Sequence, residues 1–146
     1  MGAAAGSADY RVPVLDVEAA VREACRRWSV TSIVADPFRW QRSLQVLADF
    51  GLPIMEFPQS PARMVPATTS LFEAIVNGQV THSGDPRLAR HVANAVVKTD
   101  SRGTRIHKDG KHSTRRIDLA ICCVMAHSIA ATTTGLQLYY FADDAA

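Results

Sequence analysis

Cysteine is scarce in this 146-residue sequence, with only Cys25, Cys122 and Cys123. An odd count with two of the three adjacent points away from a disulfide framework and lacks metal-ligand spacing. Buried free thiols in a reducing compartment are the expectation. Long apolar runs are also missing, so no segment reaches the roughly 20 residues needed to cross a bilayer. The opening MGAAAGSADY has neither a basic n-region nor an apolar h-region, which argues against a signal peptide and for a cytoplasmic protein. No stretch fits G-x-x-x-x-G-K-[ST], so no nucleotide phosphate-binding loop is encoded. There is no internal repeat and no sign of a second domain.

Apolar residues make up 47% of the chain, a globular proportion, and the length suffices for one domain with a real core. The net charge is only +2, but it is unevenly spread. Between Lys98 and Arg116 seven cations face two acids, a local charge of +5 that leaves −3 on the rest. A basic segment on a near-neutral body is a candidate contact for anions or nucleic acid; its plainer reading is a solvated loop.

Helical spacing runs through Val17–Trp28, with Asp16 as the candidate N-cap. A short β-branched strand follows at Thr31–Ala35, then a helix over Arg39–Phe50 closed by Gly51. Pro53–Phe57 reads as a second strand. Met64–Asn77 predicts a helix with Pro66 near its first turn, and Pro86–Val97 another, capped by Asp85. Residues 98–116 read as a hairpin or mobile loop, and Ile117–Ala131 as a strongly apolar helix that packs on the sheet. Alternating helices and strands with short connections predict an α/β layer with parallel strands. Two convincing strands, with one weak candidate at Asp9–Leu15, cannot cover the apolar faces of five helices. The chain therefore reads as the back portion of a larger α/β domain, or as one whose missing surface a partner chain supplies.

Two acids stand out. Asp36 ends the first strand, at the edge where ligand chemistry gathers in open α/β sheets, and Pro37 stiffens its exit. Asp118 opens the apolar helix just beyond the basic stretch. Taken singly, Asp36 is explained as a turn-former before proline and Asp118 as an acid favoured at a helix N-terminus, worth about 0.3–1 kcal/mol. Together with the cations between them they suit phosphodiester hydrolysis. There, carboxylates hold one or two Mg²⁺ or Mn²⁺ ions, about 4 Å apart when paired, and cationic side chains hold the phosphate backbone.

In order along the chain, ADPFRW, GLPIMEFPQ, VTHSGDPRLARHVANAVV and RRIDLAICCVMA resemble the nuclease domain of phage terminase large subunits, the motors that package viral DNA. The likeness covers roughly Val12 to Ala131. It implies a ribonuclease H-like α/β fold of parallel strands flanked by helices, lacking its first strands, over residues 12–131. Residues 1–11 and 132–146 become flexible tails.

The implied site has three acids: the second corresponds to Asp36, the third to Asp118, and no residue occupies the first position. Asp9 and Asp16 do not match its context. The resemblance thus implies a metal-dependent DNA endonuclease domain with a two-metal Mg²⁺ or Mn²⁺ site that is incomplete here. It lacks the ATPase half, and its activity is open. Arg39, Lys108, Lys111, Arg115 and Arg116 are the implied DNA contacts. Double-stranded DNA and other terminase or portal components are the implied partners, in the cytoplasm of a bacterial host and with no membrane.

His82, His91 and Asn94 lie in the third motif and read as structural hydrogen-bonding residues, His91 and Asn94 sharing a helical face. His107 and His112 flank the basic loop without enough ligands for zinc. Phe38 and Trp40 read as core anchors, and Ser60 and Ser83 have no nucleophile context. Two other functions stay open: a non-enzymatic DNA-binding prophage remnant, and an interaction module that completes its sheet with another polypeptide.

Overall fold

The computed structural model describes residues 11–133. The expected tails lie outside them, apart from Arg11, Thr132 and Thr133. The chain divides into two compact units, one ending at Pro58 and one beginning at Gln59.

The first unit opens with α1, Val14–Arg27. Asp16 is not its cap. The carbonyl of Pro13 accepts from the Asp16 and Val17 amides at 3.1 and 3.2 Å, so the helix starts earlier and Asp16 lies in its first turn. A proline holds φ near the value a turn needs, and its missing N–H is no loss at a helix start. The weak strand considered over Asp9–Leu15 is thereby replaced, where described, by helix from Val14. Strand β1, Ile33–Ala35, pairs in parallel with β2, Ile54–Glu56, in the register Ile33–Ile54, Val34–Met55 and Ala35–Glu56. Between them runs α2, Gln41–Asp49. Gly51 closes it at φ +80, where its amide reaches the Ala48 carbonyl and the Leu52 amide reaches that of Leu47. Leu44, Leu47 and Phe57 are the buried apolar residues.

The second unit holds α3 (Pro61–Val76), α4 (Pro86–Asn94), the antiparallel strands β3 (Val96–Asp100) and β4 (Gly103–His107), and α5 (Asp118–Thr132). Helix α3 starts three residues before the expected Met64, with Pro61 in its first turn, so Pro66 falls inside it. Helix α4 begins as expected. Asp85 accepts from the Arg87 and Leu88 amides at 2.7 and 3.2 Å with Pro86 behind it, and the Arg87 guanidinium helps hold the Asp85 carboxyl well below the usual range. It stops at Asn94 rather than Val97 because the β-branched pair Val96-Val97 goes into the hairpin. Helix α5 packs on α3 and α4 within this unit, and the hairpin lies on α3. Met64, Ala67 and Ala74 of α3 meet Ile117, Ala120, Val124 and Met125 as the buried apolar set. The thiols are free as expected, but none is buried: Cys25 and Cys123 are half-buried and Cys122 is exposed.

The hairpin turn is organised by Asp100. Its Oδ1 accepts from the Arg102 amide at 2.9 Å, closing an Asx turn, while Oδ2 meets the Arg102 guanidinium at 2.9 Å. Arg105, only 7% exposed, donates to both oxygens at 3.2 and 2.8 Å. These bonds, Arg105 first, hold the Asp100 carboxyl well below the ordinary carboxylate range. A depressed folded-state value means the stabilisation is complete above the unfolded value of about 3.9 and fades as pH falls below it. Asp100→Asn is therefore expected to lower the thermal midpoint by a constant amount between pH 7 and 5. The gap to the parent should narrow below about pH 4, where Asp100 of the unfolded parent begins to take up a proton while the folded carboxylate is still ionised. Calorimetry across that range checks it, and a gap independent of pH would refute it.

Candidate active site

Asp36 follows β1 directly, at the carboxyl end of the parallel pair. Its Oδ1 accepts from the Phe38 amide at 3.0 Å across Pro37, which aims the carboxylate and leaves Oδ2 without a hydrogen bond among the described residues. The following turn is strained: Arg39 sits at φ +63, a region β-carbon-bearing residues rarely adopt, and Trp40 N bonds the Pro37 carbonyl at 3.1 Å. This turn throws Phe38 outward. It is 71% exposed, not a core anchor, and the Arg39 guanidinium lies over its ring at 5.1 Å. Trp40 is half-buried. The parallel register also sets Glu56 opposite Ala35, one position before Asp36. Glu56 is a further acid at this edge, the last residue of β2; in the sequence it shows only as an acid at a strand end, as Asp36 is.

Asp118 is the first residue of α5 and is exposed. Its carboxylate makes no ion pair or hydrogen bond among the described residues. It borders an open groove of about 690 Å³ in the second unit, between the hairpin and the start of α5. Lys98, His107, Lys108, Asp109 and Lys111 border the same groove. Three of these cations thus share one cavity with Asp118.

Arg115 is exposed but engaged, its Nη1 lying 3.3 Å from Asp109 Oδ2. The Asp109 carboxyl is held low by a hydrogen bond from Ser113 and then by Arg115. Arg116 is exposed, and its carbonyl accepts from Asn94 Nδ2 at 3.0 Å. His107 is half-buried with Nε2 unpartnered, and burial followed by the nearby Arg105 and Lys98 charges pushes its pKa down. His82 Nδ1 accepts from Gly84 N, and His91 Nδ1 from Leu119 N, both at 3.0 Å.

Among the described residues, no three His, Cys, Asp or Glu side chains gather as a metal-holding group. Asp36 and Asp118 fall in different units, and each offers a single carboxylate. Oxygen-only donors of this kind suit a hard cation that keeps several waters. Among the described residues no helix is long and apolar enough to cross a membrane.

Residues 9–133 match the family described as terminase large subunit, endonuclease domain. The terminase large subunit of Enterobacteria phage HK97 is 31% identical over 122 residues, covering 82% of this chain and 23% of that protein. The Gene 13 protein of Mycobacterium phage L5 is 31% identical over 128 residues, covering 79% and 22%. The chain thus spans less than a quarter of the length of these relatives. The crystal structure of the HK97 bacteriophage large terminase superposes with a TM-score of 0.69 at 30% identity, covering 81% of this chain and 25% of that one. The parallel strands with flanking helices accord with the expected ribonuclease H-like fold.

Proposed function

Because this chain belongs to the endonuclease-domain family of terminase large subunits, we propose that it is a DNA-binding, metal-dependent phosphodiester-cleaving element used in viral DNA packaging. The observation that carries this reading is the groove in which the unpaired Asp118 carboxylate stands with Lys98, Lys108 and Lys111. An anionic backbone entering such a groove meets cations on the hairpin side and a hard-oxygen ligand at the helix start.

On this reading Asp118 in the second unit and Asp36 in the first are each a hard-oxygen ligand available to Mg²⁺ or Mn²⁺. The bound cation supplies Lewis acidity at the phosphate and a more acidic water. The protein's own part is positional. Asp36 is aimed by its bond from Phe38 N, and Lys108 and Lys111 hold the phosphate backbone without being tied to acids. Arg115 is partly neutralised by Asp109 and contributes less. Arg39 and Arg116, both exposed, are further backbone contacts. Double-stranded DNA is the substrate and other packaging components are the partners on this reading. With two acids of an implied three, metal binding and turnover by the chain alone are expected to be weak.

Titrating the chain with Mn²⁺ while following paramagnetic broadening of amide signals tests the site. Broadening is expected to centre on residues 36 and 118. Asp36→Ala and Asp118→Ala are each expected to weaken binding by at least roughly thirtyfold, toward the upper part of the 10–100-fold typical of a lost supporting contact. Mn²⁺-dependent nicking of supercoiled plasmid should fall in parallel. Binding and nicking that stay unchanged in both variants would remove the proposed site.

A further inference from the structure

The backbone around Asp118 is gripped from the neighbouring helix on both sides. Asn94 Nδ2 donates to the carbonyl of Arg116, two residues before Asp118, at 3.0 Å. His91 Nδ1 accepts from the amide of Leu119, one residue after it, also at 3.0 Å. His91 and Asn94 are three positions apart on α4, so they share a face, and α4 packs on α5. The two bonds are complementary in sign: one residue supplies a donor to the incoming chain, the other an acceptor to the outgoing helix.

The Leu119 amide is one of the four N–H groups that an α-helix leaves without an intrahelical partner. Such groups are ordinarily satisfied by a local cap, but Ile117 at the cap position of α5 has no side-chain acceptor and makes no cap bond. The acceptor comes instead from 28 residues away. A local cap would fix only the helix end. This distant one fixes the helix end relative to α4, and α4 leads within one residue into the hairpin that carries Lys98. The carboxylate and the basic wall of the groove are thereby referenced to one short helix.

We propose that His91 and Asn94 are positioning residues for Asp118: they clamp residues 116–119 so that its carboxylate faces the groove. The inference rests on the reading of Asp118 as a metal ligand. Because Nδ1 accepts, the ring proton of His91 is on Nε2, and an asparagine oxygen placed at the same distance from the backbone reproduces the acceptor. His91→Asn is thus the conservative rescue and His91→Ala the loss.

The test uses the intact chain and two readouts. In amide hydrogen exchange, the Leu119 amide is expected to exchange at least about tenfold faster in His91→Ala than in the parent or in His91→Asn, with the thermal midpoint monitored to show that each variant is folded. In Mn²⁺ titration, His91→Ala and Asn94→Ala should each weaken binding about tenfold, and His91→Asn should return to within about threefold of the parent. Unchanged Leu119 exchange in His91→Ala overturns the clamp. So does faster exchange with unaltered Mn²⁺ affinity while Asp118→Ala loses it, and then the metal-ligand reading survives. Mn²⁺ affinity that is indifferent to Asp118→Ala sinks that reading instead, and the positioning role with it. If His91→Ala does not fold, Asn94→Ala together with His91→Asn decides by the same two measurements.

Discussion

Exchanging Lys108 and Lys111 together for glutamine is expected to reduce the salt dependence of DNA binding by about two ion equivalents, a slope change near 1.8 in log K against log salt. At about 0.1 M salt this corresponds to an affinity loss on the order of 50-fold. The figure follows from counterion release: each lysine that neutralises a phosphate frees about 0.9 of a condensed cation. Both lysines are exposed on the groove edge, and neither is paired with an acid among the described residues. Arg115 differs, because Asp109 already lies 3.3 Å away. Adding Arg115→Gln to the double variant should therefore change the slope by much less than one further equivalent. A salt titration of duplex binding by fluorescence anisotropy measures all three proteins. A double variant with the parent's slope would exclude this part of the chain as the contact, and an equal further step from Arg115 would mean the Asp109 pair is broken on binding.

The second large effect is on folding. Gly103 opens β4 at φ +117, and a Cβ built there would lie 2.6 Å from Val65 Cγ1 on α3. Two independent penalties follow for any side chain. The backbone conformation costs about 1–3 kcal/mol for a non-glycine residue. Forcing extra carbons into the contact with α3 costs about 1–3 kcal/mol more. Gly103→Val is expected to lose about 3 kcal/mol in total and roughly 10 °C in thermal midpoint. The two parts separate in a double-mutant cycle. In a Val65→Ala background, the cost of Gly103→Ala should shrink by about 1 kcal/mol, because the clash is relieved while the backbone strain stays. An unchanged cost would mean that the hairpin does not rest on α3 through this contact. DNA binding should fall with hairpin stability, since β4 leads directly into Lys108 and Lys111.

Much of this protein was legible from residue order alone, because the signals are local. Pro86 behind Asp85 marks a helix start, and Gly51 marks a helix end, since few other residues satisfy those backbone positions. The short strand-like runs ending in Ala35 and Glu56, separated by a helix, carry the parallel pairing. The ordered motifs carry the family.

Other features depend on contacts that no local pattern encodes. Phe38 is apolar and was expected inside, but the strained turn at Arg39 turns it outward. The apolar helix α5, expected against the sheet, finds α3 and α4 within its own unit. Arg105 reads as one more solvated cation until the hairpin register brings it onto Asp100 and buries it. His91 and Asn94 share a helical face in the sequence, but what that face holds, the backbone on either side of Asp118, lies more than twenty residues onward. Hydrogen-bonding capacity and helical phase are properties of single residues and their near neighbours, so the chain determines them by itself. Which donor meets which acceptor across such separations is decided only when helices pack, because packing alone sets those distances.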